Sequence, residues 1–189
     1  MKRIVLLLLV AASMGGFTLS AQSVNSLENG KYSLSVGDVT LTVDASRGGK
    51  IVSYKYKDTE ILSQTRMPNS FGSTFWTSPQ SEWNWPPVPE YDTKPFNAEV
   101  TDGKLVLTGE KSKRFGYKVR KEFVADTKDN AIVITYTLVN ESGETRKVAP
   151  WEISRVPNGG ILFFDAKEVT PANNMAGLPF VYEKKAAWY

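Results

Sequence analysis

Short runs that alternate polar and apolar residues, broken by turn signals at close spacing, constrain this chain more than any other feature. Tyr32-Ser33-Leu34-Ser35-Val36 alternates with period two, and Val39-Thr40-Leu41-Thr42-Val43 does so again. Side chains change face at every step along a strand, so this pattern builds a sheet with one dry and one wetter face. Gly37-Asp38 reads as the turn between the two runs. Arg47-Gly48-Gly49-Lys50 is a second break, where the glycines permit positive φ. Residues 51–56 form the next predicted strand, followed by a turn at Lys57-Asp58-Thr59 and a short strand at Glu60-Ile61-Leu62.

The second half repeats the pattern. Strands are predicted over 96–100 and 104–108, joined by Asp102-Gly103, a pair favoured in two-residue hairpins. Longer strands are predicted over 115–124 and 131–139, with 126–130 as their turn. In the latter, Ile132, Ile134, Tyr136 and Leu138 share one face, opposite Val133, Thr135, Thr137 and Val139. That arrangement suits a sheet packed on one side. The Lys118, Arg120 and Glu122 face of the preceding strand reads as solvated. Ser142-Gly143 turns the chain into a strand over 148–154. No helical period follows the first residues, and many short antiparallel strands imply a sandwich or barrel.

The N-terminus has a different character. Met1-Lys2-Arg3 is basic, residues 4–17 are almost free of polar groups, and small residues follow up to Ala21-Gln22. This order predicts a signal peptide over residues 1–21, and hence a periplasmic or secreted protein with no membrane contact after cleavage. The apolar run is short for a span of about 20 residues. No Cys follows it, so a lipoprotein anchor is excluded. Loss of Lys2 and Arg3 takes the formal charge from +3 to +1. Such a balance gives no reason to expect a nucleic-acid partner.

The chain contains neither His nor Cys. That excludes imidazole or thiolate zinc sites and Ser-His-Asp or Cys-His nucleophile systems. Any acid or base must be Asp, Glu, Lys or Tyr. No cofactor is expected. Calcium, which takes oxygen ligands, stays open without a residue pattern that points to it.

Two stretches escape the strand pattern. Residues 63–95 carry Pro68, Pro79, Pro86, Pro87, Pro89 and Pro95, and read as a long functional loop. The tail over 165–189 ends on Ala186-Ala187-Trp188-Tyr189 without a polar closing segment, which implies a domain incomplete at its C-terminus.

The loop holds the strongest local motif, Phe75-Trp76-Thr77-Ser78-Pro79-Gln80-Ser81-Glu82-Trp83-Asn84-Trp85-Pro86-Pro87. Residues before proline are pushed towards extended geometry, so Trp83 and Trp85 are placed on one side of a stiff segment. Sugars stack their C–H faces on flat rings, and their hydroxyls need partners such as Gln80, Asn84 and Glu82. The competing reading folds the loop back and buries its rings as a satellite core. The second motif is Val148-Ala149-Pro150-Trp151-Glu152-Ile153-Ser154-Arg155. Alternation sets Trp151, Ile153 and Arg155 on one face and Pro150, Glu152 and Ser154 on the other. Pro150 implies an edge or a bulge. Glu152 is the candidate catalytic carboxylate, against an ordinary solvent-facing Glu or one paired with Arg155 or Lys147. The candidate ligand-binding residues are Trp76, Gln80, Trp83, Trp85, Trp151 and Arg155, which are expected to meet Glu152 in one concave surface.

Together these residues resemble the galactose-mutarotase-like superfamily. Gly48-Gly49-Lys50-Ile51-Val52-Ser53 is similar to its Gly-rich turn before a strand, and Glu60-Ile61-Leu62 follows at the usual place. Asn69-Ser70-Phe71-Gly72 sits where mutarotases carry a substrate loop, and the strand over 148–155 falls near their catalytic-histidine strand. The Trp-Pro loop with Ala149-Pro150-Trp151-Glu152 looks like an uncharacterised secreted branch. The resemblance implies an all-β, antiparallel two-sheet supersandwich over residues 22–189, in truncated form, with a carbohydrate ligand. The family's His acid and Glu base cannot both exist in a chain without His, so mutarotase chemistry is not expected. Three readings follow: a carbohydrate-binding protein, a sugar-active epimerase or lyase using Glu152, and a structural envelope domain with buried tryptophans.

Overall fold

A computed structural model describes residues 24–65, 71–157, 159–161, 163–165, 181–183 and 186–188. The predicted signal peptide, Asn69-Ser70 of the mutarotase-like motif and much of the tail lie outside the described residues.

The alternating runs form strands. β1 (Val24–Ser26), β2 (Lys31–Val36), β3 (Val39–Asp44) and β4 (Lys50–Tyr56) are neighbours in the larger sheet. The two-residue β5 (Thr59–Glu60) pairs with β4 off the main path. Beyond β4 come β6 (Ser73–Ser78) and then, as the last strand, β11 (Ala149–Ser154). The smaller sheet contains β7 (Asn97–Thr101), β8 (Lys104–Thr108), β9 (Tyr117–Asp126) and β10 (Ala131–Asn140), in the order β10-β9-β8-β7. A third group joins β12 (Phe163–Asp165) and β13 (Val181–Glu183) to β14 (Ala186–Trp188) between them. Every pairing is antiparallel. The only α-helix among the described residues is the single turn α1 (Pro89–Asp92). The expected all-β, two-sheet antiparallel sandwich is the observed fold.

The two sheets meet through their dry faces. Leu34, Leu41, Val43, Ile51 and Phe75 face Leu105, Leu107, Tyr117, Val119 and Phe123 in one continuous core. The Phe75 ring stacks on Tyr136 of the opposite sheet, with centroids 4.3 Å apart and planes 10° from parallel. Burying one such ring stabilises the fold by about 2–3 kcal/mol. The Asp102-Gly103 turn has positive φ at both residues, 50° and 73°, as a type I′ hairpin requires. On the side of β10 and β11 the closure is looser. Ile132, Ile134, Tyr136 and Leu138 are only partly buried there, and Ile132 and Ile134 line an apolar gap of about 230 Å³ with Leu41, Ile51, Tyr54 and Leu62.

One expectation is corrected. Residues 63–95 are not loop throughout, because β6 lies inside them as an almost fully buried strand, paired along its length with β11 and at Ser73 with β4. Its sequence, Ser-Thr-Phe-Trp-Thr-Ser, does not alternate polar and apolar residues, since both faces are covered by protein. β-Branched and aromatic residues suit that environment, and the hydroxyls find partners inside it. Strand ends shift by one or two residues elsewhere. β9 starts at Tyr117 rather than 115 because Gly116 turns with φ +72°, although Phe115 remains in the core.

Candidate functional site on the outer face of the larger sheet

β6 and β11 lie side by side, which brings the two tryptophan-bearing segments together. Trp76 pairs with Trp151, and Thr74 with Ile153. Directly opposed residues share a face, so Trp76, Trp151 and Arg155 project outward, away from the opposing sheet. After Ser78 the chain turns through a 3-10 turn at Gln80–Glu82. This folds Trp83 back onto β6, where its indole N–H donates to the Thr77 carbonyl at 2.9 Å. Trp76 is the hub of the resulting cluster. Its ring stands edge-on to Trp83 at 5.8 Å, to Trp85 at 6.0 Å and to Trp151 at 5.9 Å. Such T-shaped contacts add about 0.5–1.5 kcal/mol each beyond area burial.

Polar groups fix the hub. The Trp76 indole N–H donates to Asp92 Oδ1 of α1 at 2.9 Å. The Arg155 guanidinium lies 5.8 Å from the Trp76 ring centre, and its Nη1 donates to Thr74 Oγ1 at 3.3 Å. Burial lowers the Arg155 pKa, opposed by Asp92 and Glu152. Trp76 and Trp83 are buried, Trp151 is half-buried, and Trp85 is 64% exposed. Gln80 is exposed and joins Ser78, Pro79, Ala149, Pro150 and Trp151 around a shallow hollow of about 390 Å³. The four tryptophans thus form one cluster, with Arg155 against Trp76 and Gln80 beside Trp151, but Trp76 and Trp83 lie beneath the surface. The loop folds back and buries Trp83 in the core, whereas Trp85 stays open to solvent.

Glu152 does not join that surface. It stands opposite Phe75 in the β6–β11 register, on the face turned towards the smaller sheet. Its carboxylate accepts hydrogen bonds from Ser73 Oγ and from Ser154 Oγ, and the residue is exposed at the open rim of the sandwich. The expectation that Glu152 and the tryptophans share one concavity is corrected, because strict alternation across β11 turns them to opposite sides. Among the described residues the strand that holds Pro150 pairs with β6 alone, at the end of the sheet, in agreement with the edge it implies.

Sequence reading missed three charged residues. Asp92 was hidden in the proline-rich stretch. Lys50 follows the paired glycines and is 2% exposed. Lys121 occupies the core register of β9, between Val119 and Phe123, and its misfit with that apolar face was a readable signal. Its ammonium donates to the Gly48 carbonyl at 2.7 Å and the Gly49 carbonyl at 3.0 Å, with the Phe96 ring 5.1 Å away. Burial pushes its pKa down to about 7, opposed by Asp92 and Glu152.

Among the described residues no cluster of three or more Asp, Glu, His or Cys side chains is arranged to hold a metal ion. No helix among them is long and apolar enough to cross a membrane. Fold and site together define an all-β, two-sheet antiparallel sandwich with an aromatic cluster on the outer face of its larger sheet. Comparison with protein-family models, curated proteins and solved structures finds no match to this chain.

Proposed function

We propose that this is an exported carbohydrate-binding protein of the galactose-mutarotase-like superfamily, acting in the periplasm or outside the cell. The observation that carries the reading is Trp85. A ring 64% exposed, standing edge-on to a buried tryptophan, is a rigid apolar plate offered to solvent. Around the same buried tryptophan stand the Trp151 ring and the Arg155 guanidinium, and Gln80 shares a hollow with Trp151. Sugar recognition needs such flat apolar faces with a few fixed polar groups. The Trp76–Asp92 bond and the packing of Trp83 hold the plates in place before a ligand arrives, which reduces the entropy lost on binding.

Binding is preferred over catalysis because Glu152, the residue an epimerase or lyase would use, lies on the opposite face of β11 from the plates. A glycan array probed with the purified protein, followed by titration of tryptophan fluorescence, tests the proposal. Glycan-dependent quenching is expected, and Trp85→Ala is expected to weaken binding about tenfold or more, equivalent to about 1.4 kcal/mol. A blank array with unchanged fluorescence would leave the structural-domain reading in its place.

A further inference from the structure

The outer face of the larger sheet continues from the tryptophans into a second pocket, of about 310 Å³, lined in part by Lys31, Asp44, Arg47, Lys50, Gln64 and Phe71. Register builds it. Lys31 of β2 pairs with Asp44 of β3, and Asp44 pairs with Lys50 of β4. Directly paired residues share a face, so one carboxylate stands between two ammonium groups. Arg47 joins them from the turn that precedes β4. Phe71 provides an aromatic wall, with the Lys50 ammonium 5.3 Å from its ring centre.

This pocket adjoins the tryptophan surface through Arg155. The Arg155 N–H donates to the Gly72 carbonyl at 3.0 Å, and its carbonyl accepts from the Ser63 N–H at 2.8 Å. Those partners are the chain neighbours of Phe71 and Gln64, which line the pocket, while the guanidinium of the same arginine lies against Trp76. Arg155 thus ties the backbone beside this pocket to the tryptophan cluster.

The charges do not balance. Among the described lining residues, Lys31, Arg47 and Lys50 stand against Asp44 alone, while Arg155 and Asp92 act on Lys50 from outside the lining. Both carboxylates already have donors, since Asp44 Oδ1 accepts from the Ser46 N–H and hydroxyl, and Asp92 Oδ1 accepts from Trp76. Burial lowers the Lys50 pKa, and Arg47 and Arg155 lower it further while Asp92 and Asp44 oppose them. An excess of cations crowded round a recess is relieved by an anion, and the gain is larger where water is partly excluded.

We infer that the Lys31–Arg47–Lys50 pocket is a subsite for the acidic group of a charged saccharide, a carboxylate or sulfate ester, whose neighbouring ring stacks on the tryptophan surface. The inference rests on the carbohydrate-binding reading and narrows its ligand to acidic glycans. Gln64 is already committed through its amide nitrogen to the Val52 and Leu62 carbonyls, so its side-chain oxygen faces a fixed direction in the same recess. A neutral sugar has no group that answers the cations.

The test uses the full chain and paired probes: oligogalacturonate and oligomannuronate, each against its methyl-esterified form, and a carrageenan oligosaccharide against its desulfated, neutral form. At least one acidic member is expected to bind about tenfold tighter than its neutral partner at low salt, with the preference shrinking as sodium chloride is added. Arg47→Gln and Lys31→Gln, at half-buried positions, are expected to reduce that preference several-fold while leaving affinity for the neutral form unchanged. Lys50→Met is expected to do the same more strongly, and the other two variants decide the matter where it fails to fold. Equal affinity for acidic and neutral forms would overturn the acidic-glycan inference and leave the carbohydrate reading intact. Failure of every saccharide to bind would remove both.

Discussion

Trp83 and Trp85 stand two positions apart and have opposite environments. Trp83 is 4% exposed with its N–H bonded to Thr77, whereas Trp85 is 64% exposed. Trp83→Ala is therefore expected to destabilise the fold by about 3–5 kcal/mol, read as a lower urea midpoint. Trp85→Ala is expected to cost no more than about 1 kcal/mol, through its edge contact with Trp76, and to act mainly on ligand affinity. Gly48 is constrained in another way. Its φ is +66°, and an added Cβ would lie 2.2 Å from the Asp92 carbonyl oxygen. Gly48→Ala is expected to lose about 2 kcal/mol or more through backbone strain and the displacement of α1, measurable by thermal unfolding. The same glycine carbonyl receives the Lys121 ammonium, so one turn residue serves both sheets.

Strands β6 and β11 carry the site because their ladder aligns Trp76 with Trp151, and the face behind that ladder anchors it to the core. Phe75, 1% exposed and stacked on Tyr136, is the principal anchor of β6 against the smaller sheet. Phe75→Ala is expected to cost about 3–5 kcal/mol in denaturant unfolding, and to blunt the tryptophan fluorescence signature as β6 loosens beneath the cluster. Much at this level was legible in the sequence. The alternation in β2, β3 and β10 and the Asp102-Gly103 turn gave strands and a hairpin at nearly the observed positions. β6 was not legible, since a strand enclosed on both faces has no period of two to display. Its hydroxyl-rich ends look like loop until β4 and β11 are set beside it.

For the whole molecule, the buried ammonium of Lys121 links stability to pH. Asp92 of α1, Lys50 of β4 and Glu152 of β11 are the charges that act on it, and burial outweighs them, so its pKa falls from 10.5 to about 7. Between about pH 7 and 10 the unfolded chain holds a proton at this site that the folded chain has released, so stability rises with pH across that window. Below 7 both states carry the proton and the penalty of burying the charge is fully present. Above about 10 the trend reverses, because burial raises the pKa values of Tyr91 and Tyr136 and only the unfolded phenols then ionise. Unfolding free energies from pH 7 to 10 are expected to climb in wild type more steeply than in Lys121→Met, by about 1 kcal/mol per pH unit. Parallel slopes would show that Lys121 stays charged in the fold. By itself the sequence determined the all-β class, most of the strands, the chemistry excluded by the absence of His and Cys, and the alternating faces of β11, because these depend on local spacing and composition. Only the tertiary structure decided that β6 is a strand, that Trp83 is enclosed and Trp85 open, and that Glu152 faces away from the tryptophans. It also decided that Lys31, Arg47 and Lys50 surround one recess. Those outcomes depend on which strands become neighbours, and pairing between distant segments leaves no periodic trace in either of them.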